Sequence, residues 1–245
     1  MAAFKRVLVK LSGQALAGTH GSGFDQGALA HIVDEVLAIQ ALGVQVAIMV
    51  GGGNIFRGKL AEAWSIERAE ADNIGMMATV INSLMLRGAL SAKGAGDVRV
   101  MTAMPITSIA EPYIRLRAVE HLEKGRLVIF AGGTGQPYVT TDYPAVQRAL
   151  ETRCNVVLAA KHGVDGTYSA DPKLDPAARR FTSINFDEVL RRGLQVMEQS
   201  AFLLARDHGL PLHVFDFAEA GCMARICQGE AVGTLVAPDV PLAYA

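Results

Sequence analysis

Short apolar runs alternate with segments of helical periodicity along most of this chain. The apolar runs predict strands at 4–11, 44–50, 98–104, 127–131, 156–160, 212–215 and 234–236. Apolar residues spaced three and four apart predict helices at 26–42, 65–90, 112–122, 187–194, 197–208 and 221–228, with a further helix ending at Leu150. The strand-helix alternation with short connections predicts an α/β fold, a three-layer αβα sandwich whose central, mainly parallel sheet has helices on both faces.

The regular alternation of predicted strands and helices ends after Gly163. The stretch 165–184 contains Pro172 and Pro176 and is typical of turns, and helices then predominate. We therefore predict an N-terminal lobe at 1–162 and a C-terminal lobe at 163–245. No flexible linker separates them, so the two lobes should share one continuous sheet.

Four of the predicted strands end in polar, glycine-bearing segments. The first strand ends at Lys10 and continues into Ser12-Gly13. The other three are followed by the segments 51–58, 132–142 and 161–172. Ligands of open parallel sheets collect at the carboxyl ends of the strands, so these segments predict one shared crevice.

The glycine triplet 51–53 lets backbone N–H groups approach a charged ligand, and Arg57 follows it. Taken alone, such a triplet is equally typical of a tight turn. Lys10 fits either a phosphate partner or a strand-end lysine reaching solvent. Asp72 fits a ligand contact or an exposed carboxylate on a helix.

The helix that ends at Leu150 and the last polar strand exit also leave alternatives open. Thr140-Thr141-Asp142 is a capping signal at that helix's N-terminus, a place that also suits anions. Tyr168 fits base stacking or plain packing, and Asp171-Pro172 fits a turn or a metal-orienting carboxylate.

The composition narrows the possible functions. The 245 residues carry a formal net charge of -1, which gives no electrostatic footprint for nucleic acid or for an anionic membrane. No apolar run reaches the roughly 18 residues that span a bilayer, so we expect a soluble, cytoplasmic protein. The three cysteines lack a Cys-x-x-Cys pair, the histidines lack metal-ligand spacing, and neither Rossmann nor Walker glycine spacing is present.

Taken together, these loops resemble those of the bacterial uridylate (UMP) kinases of the amino-acid kinase family. The resemblance is carried by Lys10-Leu11-Ser12-Gly13, by 51–58, by Asp72 with 75–82, and by 133–142 and 163–172. It covers nearly the whole chain in the right order. It implies the amino-acid kinase fold and transfer of the γ-phosphoryl group of MgATP to UMP by a homohexamer.

The resemblance also implies roles for individual residues. Lys10 and Arg57 would be catalytic. The positions implied for ATP are Lys10, Leu11, Ser12, Gly13, Gly53, Arg57, His162, Tyr168 and Asp171. The positions implied for UMP are Gly52, Asp72, Thr134, Gly135, Gln136, Pro137, Tyr138, Val139, Thr140 and Thr141. It gives no metal ligands for the Mg²⁺ that accompanies ATP.

Two residues depart from the family pattern. Gln14 stands where the family usually has Glu, and Glu198 where it usually has Asp. The family is commonly activated by GTP and inhibited by UTP, which points to Arg87 and Arg99 as possible effector contacts. The alternative function is that of an oxyanion storage or regulatory protein with the same fold, which would bind nucleotide without turning it over.

Overall fold

The computed structural model describes residues 2–172, 174–195 and 197–245. The strands are β1 (Arg6–Leu11), β2 (Gln45–Val50), β3 (Val98–Thr102), β4 (Glu111–Pro112), β5 (Leu127–Ala131), β6 (Val156–Lys161), β7 (Phe181–Ile184), β8 (Leu212–Asp216), β9 (Thr234–Val236) and β10 (Ala243–Tyr244). The helices are α1 (Gln14–Ala17), α2 (Gln26–Ala41), α3 (Gly58–Ala63), α4 (Arg68–Ala92), α5 (Arg115–Glu123), α6 (Asp142–Glu151), α7 (Phe186–Arg191), α8 (Gln199–Asp207) and α9 (Cys222–Cys227), with a 3₁₀ turn at Gly18–His20.

The described strands form one sheet in the order β10-β7-β9-β8-β6-β1-β2-β5-β3-β4. The pairs β8/β9 and β7/β10 are antiparallel and the other pairs are parallel. The sheet runs without a break across the predicted boundary at residue 162, because β6 pairs with β8. The predicted α/β fold with one mainly parallel sheet is therefore confirmed.

Alternation along the central strands divides the core into two layers. Val7 and Val9 of β1 face the layer that holds α2, α4 and α9, whereas Leu8 faces the layer of α5 to α8. Successive side chains of a strand point to opposite faces, so a strand with no polar interruption is buried on both sides. This arrangement gives the three layers expected from the sequence.

Three boundaries differ from the sequence prediction. Pro112 does not open a helix, because it pairs with Thr102 of β3, Tyr113 N–H donates to the Thr102 carbonyl, and α5 begins only at Arg115. The stretch predicted to be turns ends in β7, whose buried Phe181 and Ile184 do not alternate with polar residues and so give no strand signal. The helix predicted at 65–90 begins at Arg68 and is preceded by α3.

Among the described helices, α4 has the length and apolar composition of a membrane span, where the sequence analysis expected none. Some 44% of its most apolar window is buried inside the molecule, and it packs against β2, β3, β5, α2 and α3. A core helix of an α/β sandwich has the same composition. Its exposed side includes Met77, Ile81 and Met85.

Candidate active site

The four polar strand exits meet at one edge of the sheet. The strands β6, β1, β2 and β5 are consecutive neighbours, and each neighbouring pair is parallel. Their carboxyl ends therefore lie side by side, as the sequence predicts. The loops that follow them form the walls of one crevice.

At the floor of the crevice, Lys10 and Asp142 form an ion pair. Lys10 lies near the end of β1, Asp142 begins α6, and Lys10 Nζ is 2.6 Å from Asp142 Oδ1. The Glu198 backbone N–H donates to Asp142 Oδ2 at 3.0 Å. Both side chains of the ion pair are largely buried, with 14% and 15% of their surfaces exposed. A desolvated pair with further hydrogen bonds is held in one geometry.

Lys161 at the end of β6 adds a second ammonium group to this floor. Burial lowers its pKa, the charge of Lys10 lowers it further, and Asp142 acts in the opposite direction. Burial alone would raise the pKa of the Asp142 carboxyl, but Lys10, the Glu198 N–H and Lys161 together hold that pKa below its ordinary value. Lys10 and Lys161 therefore lie together at the floor beside the ionised Asp142 carboxylate, and two basic side chains at one place suit an anionic ligand.

The glycines of the β1 and β2 loops are required by close backbone packing. A Cβ on Gly13 would lie 2.6 Å from the Gly53 nitrogen, and one on Gly52 would lie 2.7 Å from the Gly75 carbonyl oxygen. At Gly53 a Cβ would meet nothing within 4 Å. Gly13 and Gly52 thus permit the loops to meet, and Gly53 leaves an open surface beside them.

A buried amide pair fixes the β2 loop against α4. Asn82 Nδ2 donates to the Gly51 carbonyl at 2.6 Å and to Asn54 Oδ1 at 2.7 Å, and Asn54 Nδ2 lies 3.1 Å from Asn82 Oδ1. Asn82 is fully buried. Each amide satisfies the other away from water, so the loop is rigid at its base.

Arg57 extends across the mouth of the β1 and β2 loops. Its Nε donates to the Gly53 carbonyl at 2.9 Å, and its Nη2 donates to Gln14 Oε1 at 2.8 Å. The residue is exposed. Its guanidinium is thus oriented by two neutral acceptors rather than by a carboxylate.

Asp72 on α4 holds the loop that follows β5. Its carboxylate accepts from the Tyr138 backbone N–H at 2.8 Å and from Arg68 Nε at 2.9 Å. Tyr138 adopts a φ of 68°, a left-handed conformation that is costly for an aromatic residue and needs such an anchor. Asp72 therefore lies against the predicted UMP segment, and it is not a free carboxylate.

The rest of that loop, residues 134–141, is tied down at both ends. Gly132 N–H donates to Thr79 Oγ1 at 2.8 Å, Gly135 N–H donates to the Gly132 carbonyl at 2.8 Å, and Thr140 Oγ1 donates to Glu198 Oε2. The capping role predicted for residues 140–142 is only partly correct. Thr141 occupies the N-cap of α6 without a side-chain cap bond, and Asp142 turns to Lys10 instead.

The positions predicted for ATP divide between neighbouring cavities. Tyr168 and Asp171 line a cavity of 710 Å³ that also contacts Lys161, and Tyr168 OH donates to Asp165 Oδ1 at 2.6 Å. A cavity of 560 Å³ contains Asp142, Lys161 and Glu198. His162 instead lines a third cavity of 270 Å³, with Ser12 and Gln14. Lys161 lines all three of these cavities, and His162 and Tyr168 line different ones.

Sequence reasoning missed two members of the floor. Lys161 ends an apolar strand as Lys10 does, and that parallel is the signal that could have identified it. For residues 140–142 the sequence predicts capping at a helix terminus that also suits anions, because nothing in the local sequence of Asp142 indicates that it pairs with a lysine of β1. Among the described residues, no cluster of three or more His, Cys, Asp or Glu side chains is arranged to hold a metal ion.

Comparison with protein-family models identifies the class of protein to which this chain belongs. Residues 5–216 match the model of the amino acid kinase family. The chain belongs to that family. This confirms the fold that the strand and helix pattern predicts.

Uridylate kinases are among the relatives with high similarity. Uridylate kinases of Frankia alni and Frankia casuarinae are 60% and 59% identical over 236 residues, covering 96% of this chain and 92% and 91% of theirs. The crystal structure of UMP kinase from Bacillus anthracis superposes with a TM-score of 0.96 at 56% identity and covers 99% of each chain. UMP kinase from Ureaplasma parvum matches with a TM-score of 0.90 at 33% identity, over 95% of this chain and 98% of that one. These similarities do not favour the storage alternative.

Proposed function

We propose that this protein transfers the γ-phosphoryl group of MgATP to UMP, giving UDP and ADP. The observation that carries the proposal is the Lys10–Asp142 pair with Lys161 beside it, at the point where four strand-end loops converge. The similarity to uridylate kinases over nearly the whole chain selects the substrate. Because the product UDP is a pyrimidine nucleotide, we propose that the reaction belongs to pyrimidine nucleotide biosynthesis. We also propose that the enzyme is cytoplasmic.

The chemistry fits the groups present. An oxygen of the UMP phosphate attacks the γ-phosphorus, its new P–O bond forms, and the bond between that phosphorus and the β,γ-bridging oxygen breaks to release ADP. The attacking oxygen is already ionised, so no general base is needed, and catalysis comes from positioning and charge stabilisation. Lys10 and Arg57 are the proposed catalytic cations, and Lys161 adds positive charge at the same floor.

Asp142 has a positioning role in this proposal. Its carboxylate holds the Lys10 ammonium at 2.6 Å, and the Glu198 N–H holds the carboxylate. The pair keeps the ammonium of Lys10 at the floor, where the transferring phosphoryl group would pass. Lys161 is a second basic side chain at the same floor.

The two substrates occupy different sides of the crevice in this proposal. The UMP side is Gly52, Asp72 and the loop from Thr134 to Thr141, and the phosphate side of ATP is Lys10 to Gly13 with Gly53 and Arg57. The nucleoside of ATP would lie against the C-terminal lobe, residues 163–245, in the cavity of Tyr168 and Asp171. His162 lines the 270 Å³ cavity together with Ser12 of the phosphate side, and its assignment to ATP follows the resemblance.

Mg²⁺ is proposed to enter with ATP. This ion keeps several waters and is usually held by substrate phosphates with one or two carboxylates, and Asp171, which lines the 710 Å³ cavity, is the carboxylate proposed to orient the metal-bound phosphate. When bound, it would neutralise charge on the phosphates. The orientation of Lys10 and Arg57 is set by the protein's own contacts.

Self-association as a homohexamer is proposed from exposed apolar residues. Met77, Ile81 and Met85 are spaced four apart on α4 and are 43%, 46% and 40% exposed. They therefore form one stripe along the helix, which a second copy of the chain would cover. The measurement is the mass in solution, and Ile81→Lys should lower it.

The effector proposal concerns a different cavity, of 430 Å³, at the β3–β4 edge. It is lined by Arg87 and Arg99, and Arg99 also pairs with Asp97 at 2.6 Å and Glu111 at 3.4 Å. Two guanidinium groups at one cavity suit a nucleotide phosphate. We propose that GTP activates the enzyme by binding in this cavity. UTP is the proposed inhibitor.

A coupled assay of ADP release tests the proposed function. The purified protein is given MgATP with UMP, CMP, dTMP or AMP in separate reactions, and UDP is identified directly. We expect turnover with UMP far above the other three. Tight binding of UMP and MgATP without UDP formation would refute the proposal.

A further inference from the structure

Gln14 is the side chain that orients Arg57 from the β1 side of the crevice. It is the first residue of α1 and exposed, and its Oε1 accepts from Arg57 Nη2 at 2.8 Å. The second anchor of Arg57 is the Gly53 carbonyl, which accepts from Nε at 2.9 Å. The guanidinium is thus clamped between the loops that follow β1 and β2.

The chemistry of the two side chains fixes the direction of the Gln14 amide. Arginine has only donors, so the amide oxygen must face it, and the amide nitrogen with its two hydrogens faces elsewhere. A glutamate in this place would offer the same acceptor, but it would add a negative charge beside Arg57 and would have no donor. Gln14 therefore orients Arg57 and leaves its positive charge uncompensated.

The location of Gln14 makes this difference matter for an anion. Gln14 lines the 270 Å³ cavity together with Ser12 and Lys161, and it follows Gly13 directly. A polyphosphate bound by the loop 10–13 would therefore lie close to the Gln14 side chain. A fixed negative charge here would repel that ligand and compete with it for the guanidinium.

We propose that Gln14 is a positioning residue for polyphosphate binding, which holds Arg57 toward the phosphates of a nucleoside triphosphate and leaves the positive charge of Arg57 uncompensated. The proposal rests on the proposed function for the identity of the nucleotide. It assigns to Gln14 no contact with the reacting atoms. Its effect is on the affinity for MgATP and on the dependence of that affinity on salt.

The test uses three variants of the full-length protein. Gln14→Glu keeps the acceptor and adds a charge, and Gln14→Met keeps the bulk and removes the acceptor. Gln228→Glu is the matched control, because Gln228 is exposed at the end of α9 and the substitution adds the same charge far from the crevice. Calorimetric titrations with MgATP, magnesium tripolyphosphate and UMP are run at low and high salt.

We expect Gln14→Glu and Gln14→Met each to raise the Kd for MgATP and tripolyphosphate by about fivefold, the scale of an exposed polar pair, with the Kd for UMP and the Tm unchanged. The loss in Gln14→Glu should shrink as salt rises, because salt screens exposed charges, whereas the loss in Gln14→Met should persist. Gln228→Glu should match the parent. In kinetics the change should fall on the KM for MgATP, with the KM for UMP unaltered.

A double-mutant cycle with Arg57→Met separates positioning from direct contact. If Gln14 acts through Arg57, Gln14→Met has no further effect in the Arg57→Met background. Equal effects in both backgrounds, or a MgATP Kd within 1.5-fold of the parent in both Gln14 variants, overturns the inference. A parent that binds MgATP but forms no UDP refutes the proposed function alone, because the binding titrations still judge Gln14. A parent that binds neither MgATP nor tripolyphosphate refutes both.

Discussion

Lys10 Nζ lies 2.6 Å from Asp142 Oδ1, so the end of the first strand is joined to the start of α6. The Glu198 N–H at 3.0 Å from the same carboxylate adds the start of α8 to this junction. Three elements from distant parts of the chain therefore define the position of one ammonium group.

Lys10→Ala should lower kcat by about a hundredfold or more, because it removes a cation that stabilises the transferring phosphoryl group. The measurement is steady-state ADP release with UMP and MgATP varied in turn. Lys5→Ala is the control, since Lys5 precedes the same strand and is exposed. An unchanged kcat with only a higher KM for UMP would contradict the assignment.

Asp142→Asn should change how stability depends on pH. Because the folded pKa of Asp142 is below its ordinary value of 3.8, the ionised carboxylate stabilises the fold above about pH 4, and this contribution is lost as the pH falls through the folded pKa. The variant lacks that contribution and leaves two ammonium groups unneutralised. Urea unfolding should show parent and variant differing most at pH 6 to 7 and converging toward pH 3.

The control for that measurement is Asp187→Asn, which makes the same change at an acidic residue in the first turn of α7. A stability difference between the parent and Asp142→Asn that is constant from pH 3 to pH 7 would show that the carboxylate's charge is not the cause.

Asp72→Ala should weaken UMP binding far more than MgATP binding, because Asp72 anchors the Tyr138 N–H of the loop proposed to hold UMP. Asp72→Asn keeps an acceptor for that N–H and should retain more affinity. Arg68→Ala is the control, since an exposed ion pair contributes only about 0–1 kcal/mol. The measurement is calorimetric titration of each variant with UMP and with MgATP. An equal loss of affinity for both nucleotides would indicate that the Asp72 carboxylate is purely structural.

Discrimination between UMP and CMP should be roughly thousandfold in kcat/KM. The loop from Thr134 to Thr141 is held by Thr79, Asp72 and Glu198, so its donors and acceptors cannot rearrange to suit an amino group in place of a carbonyl. A mismatch of that kind in a buried site costs several kcal/mol. Comparable kcat/KM values for the two nucleotides would instead indicate a broader UMP/CMP kinase.

Glu198→Asp should change the rate by less than about tenfold. The carboxylate accepts from Thr140 and from Ser200 Oγ at 2.7 Å, and a side chain shorter by one methylene can keep one of these bonds at a cost of about 1 kcal/mol. Thr140→Val removes the partner and should give a similar loss. An inactive parent that gains turnover with Glu198→Asp and Gln14→Glu together would instead identify the native chain as a binder.

The sequence by itself determined seven of the described strands, all but β4, β7 and β10, and the edge at which a site forms. Apolar runs such as 44–50 and 127–131 specify buried strands through local periodicity, and the glycine-bearing exits follow from backbone chemistry that neighbours in the chain impose. Lys10 and Arg57 could be singled out for the same reason, since each lies beside such an exit.

The tertiary structure alone decided which partners meet in the crevice. Asp142 turns from capping α6 to pairing with Lys10, Asn54 and Asn82 satisfy each other under the β2 loop, and His162 lies in a different cavity from Tyr168. The strand Phe181–Ile184 exists because it pairs with β9, although its own sequence reads as turn. Each of these contacts joins residues far apart in the chain, and their energy depends on burial and distance that no local pattern encodes.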